Sequence, residues 1–441
     1  FGNRDYIKYE SLIDSVRWDI KDFMNWISSD NKRTKYKFLL EQYGYEQEDL
    51  KNIPKFTQNM IYYPTNKLRF YVNKENVIKS GIINPSEIDK IVEYIDIDLP
   101  KSGLYKNQIL MLDILSKNDW KRPIYFTGGS YKDSEYIWMK DYLQLDGLVY
   151  KLVPIKTPIN KENPYQMGRL EPNRMYDIVK KWEWGNSESP LIYHDPETRK
   201  NSISFRGNLH RLAEEFIKSG DYQKAEEIIE LNFEKMPIDY FEYYSLSEPY
   251  ISSYYKIGKT EKAQELFKKL ETKYLDQIKY YSISMKNYQD TFPISDFAEN
   301  IFTYTERYRG MIENEILLGN YNFISSSIEN FINHTEVFKI IYGDYDYYMF
   351  LINFIEPLYI SQNSKLGRDL YNKISNEIKS RLNTLVSAKE ESNSKYITDL
   401  FTDEINSANT VLDIIEDYED SDFYKSEIEE LEKISNNFIF K

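Results

Sequence analysis

Apolar positions recur at helical spacing near the start of the chain. Ile20, Phe23, Met24 and Ile27 share one face, and Asp19 with Asp22 suits an N-cap and first turn. The pattern predicts a helix opened by Asp19. Residues 31–58 are polar and punctuated, and read as loop with a short helix. Leu68, Phe70 and Val72 then alternate with Lys67, Arg69 and Tyr71, the period of a strand with one buried face. Asn84-Pro85 predicts a helix start with proline in the first turn, followed by the stripe Ile88, Ile91 and Ile95. The strongest helix of this half runs over Leu104–Lys117, with Ile109, Leu112 and Leu115 spaced for burial.

Trp120-Lys121-Arg122-Pro123 breaks that helix, and Pro123–Thr127 reads as a compact strand ended by Gly128-Gly129. The stretch from Ile137 reads as a further helix leading into a second strand, Leu148–Val153, which Pro154 stops. Residues 155–170 form a connector rich in Pro, Asn and Lys. Pro172–Trp182 is predicted helical, and Trp184-Gly185-Asn186 ends it.

From Phe205 the pattern is helical throughout. Arg206–Pro237 fits the tetratricopeptide template of about 34 residues. Leu209, Leu212, Ala213 and Phe216 supply the first helix, Gly220 and Tyr222 the turn, and Ala225 and Ile229 the second helix. Gly220 and Ala225 recur as Gly258 and Ala263, a shift of 38 residues, with Tyr254 and Phe267 standing where Phe216 and Ile229 stood. Gly319, Tyr321 and Ile328 form a weaker third copy. The predicted fold class is therefore an α+β or α/β module over residues 1–200, then an all-α tetratricopeptide-like repeat module over 205–335, then a helical cap over 336–441 with the acidic patches Glu416-Asp417 and Glu419-Asp420.

Composition narrows the function classes. A net charge of −14 without a basic block argues against a nucleic-acid partner and against an anionic membrane surface. The absence of Cys fits a reducing compartment, and equally a periplasmic protein that avoids the residue. Three dispersed histidines, His194, His210 and His334, predict no metal site, and no cofactor is expected. No apolar run reaches the roughly 18 residues needed to span a bilayer. The chain opens FGNRDYIKYE, without an initiator Met or a signal peptide, and is expected to be a piece of something longer. The 41 tyrosines suit a binding surface, or else reflect A/T-rich coding.

Candidate chemistry is sparse, and no catalytic residue is assigned. The strand-to-glycine turn suggests a ligand loop in which free N–H groups of Gly128, Gly129 and Ser130 cradle a phosphate and Arg122 and Lys132 add charge. The plain alternative is a turn, since no Walker or dinucleotide spacing comes after it. Asp141 and Asp146 show no sign of converging, and Asp146-Gly147 is a common turn pair. Tyr193-His194-Asp195 lacks an accompanying nucleophile, and its histidine reads as a loop residue; His210 reads as a groove or packing residue. Trp182, Trp184 and Tyr176 form either a sugar-stacking platform or a seam between modules. Tyr243, Tyr244, Tyr250 and Tyr254 are the candidates for a protein-binding groove on the repeats, with core packing an equal reading of the last two.

Several segments together carry a resemblance: Phe23–Lys35, Tyr63–Val77, Leu112–Leu115, Trp120–Phe126, Asp141–Pro154, Trp184–Asn186 and Arg206–Ala213. In this order they resemble the C-terminal, extracytoplasmic half of a bacterial family of polytopic membrane proteins whose N-terminal half is similar to C-type glycosyltransferases. A eukaryotic relative in the endoplasmic reticulum is a protein O-mannosyltransferase that also carries luminal tetratricopeptide repeats. The resemblance covers roughly residues 1–335. It implies glycosyl transfer from a lipid-phosphate-linked sugar to a protein hydroxyl, with the acidic catalytic residue in a loop among membrane helices. No such helices are present here, so no catalytic position is carried over.

The expectation is a periplasmic portion of a membrane glycosyltransferase-like protein. Its partners would be its own upstream membrane domain, an acceptor protein or partner subunit, and a lipid-phosphate-linked sugar. Two other readings stand beside it: a free-standing tetratricopeptide scaffold without enzymatic activity, and a sugar- or phosphate-binding module using the Arg122–Ser130 loop.

Overall fold

Burial along Lys67–Tyr71 alternates as the sequence does, with Leu68 and Phe70 inward and Tyr71 exposed. The structure is a computed structural model that describes residues 6–13, 15–128, 132–159, 167–288, 290–360, 364–392 and 394–420. Two compact units divide the chain, residues 1–241 and 242–441. An N-terminal α/β region with small mixed sheets is followed by a long all-helical region.

The first unit begins with β1 (Tyr6–Tyr9), β2 (Trp18–Asp19) and α1 (Ile20–Ser28). The Asp19 side chain accepts from Lys21 N–H at 2.7 Å, the cap that the sequence predicts. Residues 31–58 hold more than the one short helix expected of them. They form α2 (Tyr36–Gln42), α3 (Gln47–Lys51) and α4 (Lys55–Asn59). Three buried leucines, Leu39, Leu40 and Leu50, anchor these short helices, and Asp49 Oδ2 accepts from Glu46 N–H at 2.8 Å.

The chain continues through β3 (Tyr62–Tyr63), β4 (Lys67–Tyr71), α5 (Lys74–Lys79), β5 (Tyr94–Asp98), β6 (Leu104–Tyr105) and α6 (Lys106–Asn118). Strand β1 lies between β3, parallel, and β6, antiparallel; β4 lies between β2, parallel, and β5, antiparallel. The helix predicted after Asn84-Pro85 is only a 3₁₀ turn over Pro85–Lys90. Ile95 belongs to β5, opposite Phe70, so the Ile88–Ile91–Ile95 stripe is not one helical face. Helix α6 ends in two left-handed residues, Asp119 (φ 49°) and Trp120 (φ 61°). That reversal turns the Trp120 indole inward, where it stacks on Phe70 at 5.0 Å and donates to Tyr71 O at 3.0 Å.

The second half of the unit holds β7 (Tyr125–Thr127), β8 (Leu143–Asp146), β9 (Val149–Leu152) and β10 (Arg169–Leu170), in the order β10-β8-β9-β7. The helix predicted from Ile137 is absent. Two 3₁₀ turns, Asp133–Tyr136 and Lys140–Tyr142, lead into β8, which pairs with β9 as a hairpin. Gly147 makes the turn at φ +73°, and a Cβ there would lie 2.9 Å from Trp182 Cζ2. Helices α7 (Pro172–Val179), α8 (Pro196–Ser219), α9 (Tyr222–Lys235) and α10 (Ile238–Phe241) complete the unit. Leu209, Leu212, Ala213, Phe216, Ala225 and Ile229 are all buried, as the spacing predicts.

The second unit contains α11 (Pro249–Lys256), α12 (Thr260–Tyr288), α13 (Ile294–Leu317), α14 (Tyr321–Thr335), α15 (Phe338–Tyr342), α16 (Asp344–Ile360), α17 (Ser364–Glu391) and α18 (Lys395–Asp420). The turns at Gly220, Gly258 and Gly319 are built alike. Each glycine has positive φ and donates to the carbonyl three residues back, while the next residue donates to the carbonyl five back: Asp221 to Phe216, Lys259 to Tyr254, Asn320 to Glu315. This is the Schellman closure of a helix, which favours glycine at the left-handed position. Tyrosine–carboxylate pairs tie the helices of this unit together. The Tyr308 hydroxyl donates to buried Glu271 and also approaches Ser327 O at 2.9 Å, and Tyr255 and Asn320 both donate to Glu315 Oε2 at 2.7 Å.

Candidate functional site

Polar residues are buried where the β8–β9 hairpin predicts apolar ones. In register across the sheet, Arg169, Gln144, Lys151 and Tyr125 form one row on a common face. Gln144 and Asp146 share that face by strand alternation, and Gln144 Nε2 donates to Asp146 Oδ1 at 2.8 Å. Lys151 Nζ, fully buried, lies 3.3 Å from Asp146 Oδ2 but is not aligned for a hydrogen bond. Arg174, on α7, donates to the same oxygen at 2.9 Å. Burial pulls the Lys151 ammonium below its ordinary range, against the attraction of Asp146. Sealed from solvent, this lysine cannot meet a substrate.

The row continues outward. Arg169 donates to both carboxylate oxygens of Glu87, at 2.7 and 2.5 Å, and Lys90 donates to Glu87 Oε1 at 3.0 Å. The Arg169 bond, more than any other influence, holds the Glu87 carboxyl below its usual value. Arg169 and Lys90 open onto a cleft of about 650 Å³, walled on its other side by His210, Arg211, Glu214, Glu215 and Lys218 of α8. Lys156 and Thr157 close its rim.

Helix α8 is locked to the sheet at this cleft. Asn208 Nδ2 donates to Gly147 O at 2.9 Å, and Arg211 donates to Met167 O at 2.9 Å and Gly168 O at 2.8 Å. Among the described residues, no carboxylate lies within ion-pair distance of the Arg211 guanidinium or the Lys156 ammonium. His210 Nε2 lies 3.7 Å from Glu214, and Lys218 pairs with Glu215 at 2.6 Å. Lys156 also borders a smaller hollow of about 380 Å³ lined by Tyr94, Trp138, Tyr142, Asp96 and Asp141. Asp96 is occupied there by Arg69, at 2.8 and 3.1 Å.

The predicted ligand loop lies partly outside the described residues. Gly129 and Ser130 lie outside the described residues. Arg122 is exposed, its backbone tied to the Asn118 side chain, and Lys132 is exposed as well. Gly128 has no positive φ, and a Cβ there would make only ordinary contacts, so neither its backbone conformation nor its packing demands glycine. The next described element is a four-residue 3₁₀ turn, Asp133–Tyr136, rather than a helix, so it directs no helix dipole at the loop.

The predicted protein-binding tyrosines divide. Tyr250 and Tyr254 are buried in the helical core and cannot present a surface, because they fill the α11 face that packs inward. Tyr243 and Tyr244 are half-buried, and the Tyr244 ring packs edge-on against Tyr274 at 5.9 Å. Asp141 and Asp146 do not converge: the first lines the aromatic hollow, and the second is enclosed by Lys151 and Arg174. His194 is buried against Phe241 at 4.5 Å, with Nε2 3.0 Å from Ser187 O, while Asp195 caps α8. Trp182 and Trp184 pack edge-on and tilted around Phe205, and Tyr176 packs on Phe216, so these aromatics join the α7 segment to α8.

Sequence reasoning missed Glu87, Lys90, Gln144, Lys151, Lys156, Arg169 and Arg211. One signal was present. Lys151 interrupts the apolar strand Leu148–Val153, and a lysine inside such a run calls for a buried carboxylate.

Residues 1–174 match the family model described as TMEM260-associated domain 2. No curated protein and no solved structure matches the chain. Among the described residues, no helix is long and apolar enough to cross a membrane.

Proposed function

We propose that this chain is the extracytoplasmic portion of a membrane glycosyltransferase-like protein, and that it docks an acceptor protein or partner subunit rather than performing the transfer. The match of residues 1–174 to TMEM260-associated domain 2 carries this reading. The helix–glycine–helix turns at Gly220, Gly258 and Gly319 support a tetratricopeptide-like character for the helical region, and such arrays use their grooves to hold peptides or subunits. In this reading the transfer is O-mannosylation-like and takes place on the periplasmic side, with the N-terminal region packed on the membrane domain.

Two measurements test the proposal. The first is the size and membrane attachment of the native polypeptide, detected with an antibody against this region. A band well above 52.9 kDa that resists alkaline washing of membranes is expected. A soluble band of about that size would leave a free-standing repeat scaffold. The second is glycopeptide mass spectrometry of source cells carrying Tyr243→Ala and Tyr244→Ala in the native protein. Lower glycan occupancy at unchanged protein level is expected, and unchanged occupancy would remove the docking role from these tyrosines.

A further inference from the structure

The chain carries a net charge of −14, yet the cleft between the β10 strand and α8 gathers cations. Lys90, Lys156, Arg169, Arg211 and Lys218 line it, against Glu214 and Glu215, with Glu87 behind its wall. One carboxylate, Glu87, serves both Arg169 and Lys90, which leaves a positive charge in excess there. Glu215 is taken by Lys218, and Glu214 lies beside His210. Arg211 is held by two backbone carbonyls and the Tyr150 side chain, which orient the guanidinium, and Glu215 attracts it without an ion-pair contact. Lys156 is exposed between this cleft and the neighbouring hollow, where Asp96 is held by Arg69 and Asp141 lines the wall.

We propose that this cleft binds the phosphate group of a small molecule or lipid headgroup, with Arg211 as the fixed donor and Lys156 as the mobile one. Two considerations favour a phosphate. Among the described residues the excess exceeds one charge, which suits a dianion, and a planar guanidinium offers paired donors to tetrahedral oxygens. A half-enclosed wall also strengthens the attraction compared with an open surface. Arg211 is largely desolvated already, and burial draws its guanidinium below the ordinary value, so an arriving anion restores what water no longer provides. The site is preorganised: the same two Arg211 bonds, with Asn208 on Gly147 O, hold α8 to the sheet. The cleft volume of about 650 Å³ leaves room for the moiety that carries the phosphate.

This inference does not rest on the membrane-protein reading. It is tested by calorimetric titration of the full chain with inorganic phosphate and with glycerol phosphate at low salt. A second arm is co-sedimentation with phosphatidylcholine vesicles with and without phosphatidic acid. Saturable one-to-one binding is expected, weakened about tenfold or more by Lys156→Glu, an exposed position whose change leaves the fold intact. Arg211→Met should abolish binding, with circular dichroism checking that it folds. Binding of the free phosphates assigns a soluble ligand, and vesicle binding that needs phosphatidic acid and is lost in Lys156→Glu assigns a lipid headgroup. The proposal is overturned if neither phosphate nor phosphatidic acid vesicles bind, or if Lys156→Glu binds as well as the native chain.

Discussion

The Lys151 ammonium and the Asp146 carboxylate face each other at 3.3 Å inside the β8–β9 hairpin, both buried, while Arg174 reaches the same carboxylate from a half-exposed position at 2.9 Å. The pair is therefore asymmetric. Asp146 keeps a cation and the Gln144 amide if Lys151 is lost, whereas Lys151 has no aligned hydrogen bond to fall back on. Replacing the lysine by an apolar residue of similar length should be neutral or stabilising, since the cost of desolvating an ammonium disappears. Lys151→Met is expected to leave the urea midpoint unchanged or raised. Asp146→Ala strands a buried ammonium and should cost roughly 3–5 kcal/mol. Equal destabilisation by both variants in equilibrium unfolding would show that Lys151 contributes net attraction.

Gly147 is required twice over. Its φ of +73° disfavours any side chain, and Trp182 Cζ2 and Ile178 Cγ2 occupy the space a Cβ would take. Gly147→Ala should destabilise the first unit by about 2–4 kcal/mol, combining left-handed strain with overpacking. Chemical denaturation followed by tryptophan fluorescence reads this directly, because Trp182 sits at the contact. A change below about 0.5 kcal/mol would mean that the turn relaxes freely.

Tyr308 donates to buried Glu271 and lies within reach of Ser327 O, bridging α12, α13 and α14. Tyr308→Phe removes the hydroxyl while keeping the ring on Phe331. Lys268 remains on Glu271 at 2.8 Å, so the loss should be that of one charge-assisted bond, about 1.5–3 kcal/mol. Thermal unfolding of the variant measures it.

Carboxylates in the two units respond to pH with opposite sign. Burial raises Glu248 and Glu315 above their ordinary 4.5. Their stabilising contribution is complete below that value and is lost as pH rises through the raised pKa. Glu87, held down by Arg169, contributes above 4.5 and loses that contribution as pH falls through its depressed pKa. Glu315→Gln should therefore raise the melting temperature near neutral pH and flatten its decline between acid and neutral pH. Glu87→Gln should lower it at neutral pH and weaken its fall on acidification. Melting curves of both variants from pH 3 to pH 8 test the signs, and parallel behaviour of the two would contradict this account.

Local rules were readable wherever the deciding contacts are local. Asp19 caps the helix it precedes, Leu68 and Phe70 alternate inward, and Gly220, Gly258 and Gly319 each close a helix by bonds that span five residues. The errors fall where distant partners decide. Leu143 and Leu145 alternate over too short a stretch to separate strand from helix, and only pairing with β9 and with the remote β10 made them β8. Residues 31–58 read as loop with one short helix because their helices carry few apolar residues, yet Leu39, Leu40 and Leu50 find a core to anchor them.

The succession of a mixed α/β region and a helical region, and the turns that divide the helices, follow from local order along the chain, because capping and periodicity act within a few residues. The chemistry depends on packing between segments far apart in the chain. The tertiary structure buried Lys151 against Asp146, set Tyr250 and Tyr254 inside, and brought Arg169 and Arg211 to one cleft, because charge becomes a site only when the fold brings distant residues together and withdraws water from them.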